Sequence, residues 1–146
     1  MGVSLALAAV IALAAMLCAT VVGWGLNWLG FHPFKVLGSI VLVNNLVVAL
    51  ALGPFLLAVL YPRVARARLL YRDLLGPRVA PPRAQVLVGV TLVVLGTVSA
   101  FVAGQAISNG AWLAPWAPWE TVSLRGAVGV GLMPMLAVVL VGLALL

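Results

Sequence analysis

Four stretches of nearly unbroken apolar residues organise this chain: Val3 to Leu29, Val36 to Leu60, Val86 to Ala106 and Gly126 to Leu146. Each reaches the roughly 20 residues that an α-helix needs to cross about 30 Å of hydrocarbon. Each is also apolar all round rather than along one stripe, the pattern of a lipid-embedded helix and not of a soluble amphipathic one. The polar interruptions differ in character. Gly30 to Lys35 is short and carries His32 and Pro33, which predicts a tight antiparallel pair for the first two helices. Tyr61 to Arg83 is long and basic, and Ile107 to Arg125 holds Trp112, Pro115, Trp116, Pro118, Trp119 and Glu120. The expected fold is all-α, a polytopic transmembrane helix bundle of about four spans forming one domain over residues 1–146. The two halves share a plan of two helices each, without an internal sequence repeat.

Composition reinforces the pattern. Of 146 residues, 66% are hydrophobic and 7% charged, too little polar surface to cover a soluble globule of this size. The formal charge of +6 does not call for nucleic acid, because Arg63, Arg66, Arg68, Arg72, Arg78 and Arg83 all fall in the second connection. Such a bias orients a membrane protein, and it outweighs Lys35 and Arg125 on the other side. It predicts a cytoplasmic second loop, cytoplasmic N- and C-termini, and an outward-facing His32 and tryptophan loop. Within the basic loop, Val64 to Leu75 is expected to form a short interfacial helix, with Leu69, Leu70 and Leu74 towards lipid and Arg68 and Arg72 towards headgroups. Pro77, Pro81 and Pro82 would end it.

The first apolar run lacks a basic n-region and exceeds a signal-peptide core, so it is expected to stay as a helix. Leu17 before Cys18 does not suit a lipoprotein cleavage site, and Ala6 stands where a myristoylation motif needs Ser or Thr. Cys18, as the one cysteine, supports neither an intrachain disulfide nor a thiolate metal site. The last apolar run continues to Leu146 without a polar tail, the ending expected of a piece of a longer protein.

Several features bear on function. Ala8, Ala12, Ala15 and Ala19 line one face of the first span, and small side chains let a second helix approach closely, within the bundle or from a partner subunit. A similar stripe on the third span, Gly89, Gly96, Ala100 and Gly104, suits internal packing. Asn44 and Asn45 are adjacent amides inside the second span, costly there unless bonded or beside a wet cavity. They diverge by about 100° around the helix, so one can meet a ligand while the other bonds a neighbouring helix. Gln105 and Asn109, spaced i, i+4 near the end of the third span, share a face, and Asn27 adds an amide close by. Pro54 and Pro134 leave the carbonyls of Leu50 and Val130 without their helical donors, as kinks or as flexing points. Trp112, Trp116 and Trp119, with Trp24 and Trp28, suit an interfacial aromatic belt or a lid over an apolar cavity.

Catalysis has little to work with. The only acidic residues, Asp73 and Glu120, belong to opposite sides of the membrane, and His32 lies far from Asp73. No second ligand stands near His32 at metal-binding spacing, no glycine-rich phosphate loop is present, and no intramembrane carboxylate is available for an ion relay. The expectation is a non-enzyme without cofactor or metal.

Asn44 and Asn45, then Gly53 and Pro54, then Tyr61, Pro62 and Arg63, with Tyr71 and Asp73 following, resemble the first half of the substrate-binding membrane subunits (S components) of prokaryotic energy-coupling factor transporters. In that family the first helix meets the transmembrane coupling subunit through Ala-x-x-x-Ala spacing, which Ala8, Ala12, Ala15 and Ala19 match. The resemblance spans Val3 to Asp73 and implies a prokaryotic plasma-membrane protein that captures a vitamin or related small molecule. Cytoplasmic ATPases, acting through the coupling subunit, would supply the energy. Family members usually have six helices, where four are read here. Asn44, Asn45, Gln105, Asn109, Trp112 and Trp116 are the expected substrate-binding residues, from their depth and polarity. The rival expectation is a noncatalytic structural or assembly subunit of a larger membrane complex.

Overall fold

The computed structural model describes residues 4–70, 81–117 and 123–146. The described residues form four long helices: α1 (Leu5–Trp28), α2 (Phe34–Arg66), α3 (Arg83–Ser108) and α4 (Leu124–Ala144). All are long and apolar enough to cross a bilayer, and the protein is an integral membrane protein. The expected spans differ from these helices by a few residues at their ends, except at the end of α2. That helix runs on through Pro54 and Pro62 to Arg66 and has 33 residues, about 50 Å of length. Val64 to Arg66 therefore belong to α2, not to a separate interfacial helix. The remainder of that expected segment lies partly in the turn at Ala67 to Leu70 and partly outside the described residues, as do Trp119 and Glu120. Proline is tolerated inside α2 because each ring removes one backbone donor while the rest of the helical ladder continues.

Local chemistry sets the helix ends. The hydroxyls of Ser4 and Ser123 accept from the N–H groups of Leu7 and Gly126, at 3.2 and 3.4 Å, capping α1 and α4. At the C-termini of α1 and α3 the chain turns through Gly30 and Gly110 with φ of 84° and 71°. Phe31 and Ala111 then donate back to the carbonyls of Leu26 and Ala106. These are Schellman turns, and glycine adopts the left-handed position without a Cβ clash. The same turn ends α2, but Arg68 takes the left-handed position there, with φ of 54°.

The bundle consists of two antiparallel hairpins, α1 with α2 and α3 with α4, and α1 joins them by touching both α3 and α4. The α3/α4 contact is the tightest, because glycines let the backbones meet. A Cβ on Gly96 would stand 2.7 Å from Cγ2 of Val139, and one on Gly142 would stand 2.9 Å from the Gly89 carbonyl. Gly89, Gly96, Ala100 and Gly104 are all buried, as internal packing requires. The core gathers near the end where the α1–α2 and α3–α4 connections lie, around Phe34, Ala103, Ile107, Ala114, Val128 and Leu132. Helix α2 is the outlier. It fully buries only Phe34 and Gly38, and the rest of its residues are half-buried or exposed.

Candidate functional site

The connection end of the bundle is tied by polar side chains. Pro33 precedes α2 and offers no side-chain cap. The first two N–H groups of α2 are taken by other helices instead: Phe34 donates to Oδ1 of the buried Asn27 in α1 at 3.1 Å, and Lys35 donates to the hydroxyl of Ser108 in α3 at 3.2 Å. One turn on, the Ser39 hydroxyl donates to the Lys35 carbonyl at 2.7 Å and accepts from Nε2 of Gln105 at 3.0 Å. Asn27 and Gln105, both noticed in the sequence as polar groups near this end, are thus bonded across helices. Ser39 and Ser108 complete the set. Their spacing from Lys35 and Gln105, four and three residues, is the helical signal that would have found them.

Phe34 fills the centre of this end and is fully buried. Its ring lies against glycines from three helices: Gly23 of α1, Gly38 of α2 and Gly104 of α3, where an added Cβ would sit 3.2, 3.3 and 2.5 Å away.

The tryptophans act on α4. The indole of Trp24 donates to the carbonyl of Gly129 at 2.8 Å, and that of Trp116 to the carbonyl of Gly131 at 3.3 Å. These carbonyls flank Val130, whose helical donor Pro134 removes, so two indoles reinforce the stretch of α4 that proline weakens. Trp28 packs edge-on against Trp24 at 5.2 Å, and Trp112 against Trp116 at 5.7 Å, each pair at an angle aromatic rings favour. Trp112 also packs on the core. Trp112 and Trp116 line neither groove that the α2 amides face.

Those amides point apart, as adjacent helical positions must. Asn45 is half-buried and opens into a crevice between α1 and α2 of about 500 Å³. Its walls include Ala14, Ala15 and Cys18 from α1 and Ala49, Leu52 and Gly53 from α2. Asn44 is exposed about 100° away around α2, in a shallow groove with Ser39, Ile40, Val43 and Val47. Neither amide has a hydrogen-bond partner among the described residues. The six expected substrate-binding residues therefore do not share one cavity: Gln105 reaches the Asn44 groove only through Ser39, and Asn109 is exposed at the end of α3. The alanine stripe divides as well. Ala15 and Ala19 are buried within the bundle, whereas Ala8 and Ala12 are half-buried, with Ala12 lining a cleft against Val90, Val94 and Val98 of α3.

No family model matches the chain, and no curated protein or solved structure is similar to it.

Proposed function

We propose that this protein is a substrate-capture subunit of an uptake system, holding a small and largely apolar molecule in the crevice between α1 and α2 while separate subunits supply energy. One observation carries this reading: the amide of Asn45, without a hydrogen-bond partner among the described residues, opens into about 500 Å³ of otherwise apolar space. Such a volume falls within the range of small-molecule sites, where apolar walls give affinity and a few polar groups fix orientation. Asn45 stands eleven residues into α2, about 16 Å along its axis, which is near the middle of a hydrocarbon layer about 30 Å thick. Transporters commonly hold substrates at that depth. The resemblance to energy-coupling factor S components supplies the partners in this reading, a transmembrane coupling subunit with cytoplasmic ATPases, in a prokaryotic plasma membrane. The arginine bias supports the same reading with both termini in the cytoplasm.

The test begins with mass spectrometry of small molecules retained by protein purified in mild detergent. Asn45→Ala should then weaken binding of the identified molecule by about 1 to 3 kcal/mol, a factor of several to over a hundred. It should leave unfolding of the empty protein unchanged, because the amide bonds none of the described residues. Unchanged affinity in a folded variant would remove the crevice from consideration. A second reading, a noncatalytic assembly subunit, is favoured by the bare surface of α2 and by the engagement of two tryptophans with α4. It forecasts that no small molecule is retained and that stability rises only when a partner chain is present.

A further inference from the structure

Helix α2 carries a second unpartnered surface, on the side away from α1. Ile40, Asn44, Val47, Ala51, Pro54 and Ala58 follow one another at spacings of four, three, four, three and four residues. That alternation keeps one seam on a helix and is the pattern by which two parallel helices pack in a left-handed pair. The seam is open except at Pro54: Ile40 and Val47 are each 60% exposed, Asn44, Ala51 and Ala58 are exposed, and Pro54 is half-buried. The residues opposite, Ala49 and Gly53, line the crevice with α1, so the two faces of α2 are separate.

We infer that this seam joins two copies of the chain, α2 against α2, about a two-fold axis along the membrane normal. Asn44 selects the occupant. Its amide lies well inside a lipid-facing surface, has no bond among the described residues, and cannot be satisfied by an acyl chain. A primary amide both donates and accepts, so it is its own complement. A two-fold axis normal to the membrane brings identical residues to identical depth, and a second Asn44 is thereby placed where the first needs a partner. A single asparagine in such a seam also fixes register and favours two strands. Ala51 and Ala58 let the helices stay close on the far side of the amide. This pairing uses the face of α2 that the Asn45 crevice leaves free, so the two copies can meet whether or not the crevice holds a ligand.

The experiment uses the full chain in liposomes, in a Cys18→Ala background. Single cysteines at Ile40, Val47 and Ala51 should form disulfide-linked dimers on mild oxidation, while one at Leu52, well off the seam, should not. Labelled protein at increasing dilution in lipid should show two-step photobleaching. Asn44→Val should weaken the dimer about three- to thirty-fold, and Asn44→Gln should recover most of that loss because it keeps donor and acceptor. Single-step bleaching at every density, or cross-linking at Leu52 equal to that at the seam, would overturn the two-fold α2 pair. So would an Asn44→Val protein that is folded and dimerises as before.

Discussion

Gly104→Ala is the most incisive perturbation of this fold, because it adds one methyl group where three helices already meet a ring. The new Cβ would lie 2.5 and 2.6 Å from Cε1 and Cζ of Phe34, against about 3.4 Å for the onset of ordinary contact. Relief requires a shift of about 1 Å, and overpacking of this kind costs about 1–3 kcal/mol. Phe34 has little room to retreat. Its ring faces the backbones of Gly23 and Gly38 on its other sides, and its N–H is held by Asn27. Alanine returns up to about 1 kcal/mol through its better helix propensity, which must be separated from the clash. Gly25→Ala provides that reference, since nothing lies within 4 Å of a Cβ at Gly25. Unfolding in mild detergent, titrated with SDS and followed by tryptophan fluorescence, should place Gly104→Ala about 1–3 kcal/mol below Gly25→Ala. Adding Phe34→Leu should make the double variant less unstable than the sum of the single ones by about 1 kcal/mol. Equal stability of the two alanine variants, or strict additivity with Phe34→Leu, would refute the wedge.

Two further outcomes are expected. Thr97 is fully buried and its hydroxyl has no partner among the described residues, so Thr97→Val should leave stability unchanged or raise it by about 1 kcal/mol in the same assay, whereas a clear loss would reveal a hidden bond. For orientation, single cysteines at Leu113 and Arg66, both exposed, should behave oppositely on intact cells lacking Cys18: an impermeant thiol reagent should label position 113 and not 66, and the reverse pattern would invert the assignment.

The helices were legible in the sequence because an apolar run of spanning length leaves few alternatives in lipid. Their ends were less so. The basic residues after Leu60 suggested a loop, but α2 runs on through Tyr61, Pro62 and Arg63, since a helix leaving the hydrocarbon can carry arginine into the headgroups. The divergence of Asn44 and Asn45 followed from helical geometry alone and is what the structure holds. The fate of the other polar groups was not legible. Whether Gln105 meets Ser39, or whether the Trp116 indole turns to the Gly131 carbonyl, depends on which helices become neighbours, and a run of apolar residues does not encode that choice. The alanine stripe illustrates the same gap, for its spacing of four, three and four keeps one face from Ala8 to Ala19 while only Ala15 and Ala19 are fully buried.

The borrowed caps at the start of α2 bear on how the chain assembles during synthesis. Asn27 precedes α2 in the chain and is available as soon as the first hairpin enters the membrane, so the Phe34 amide can be satisfied at once. The Lys35 amide must wait for Ser108, seventy-three residues later, at the far end of α3. Until then the top of α2 keeps a loose donor that water at the bilayer surface must serve. Closure of that last bond links arrival of the second hairpin to fixation of the first, making the start of α2 a point where completion of the bundle is registered.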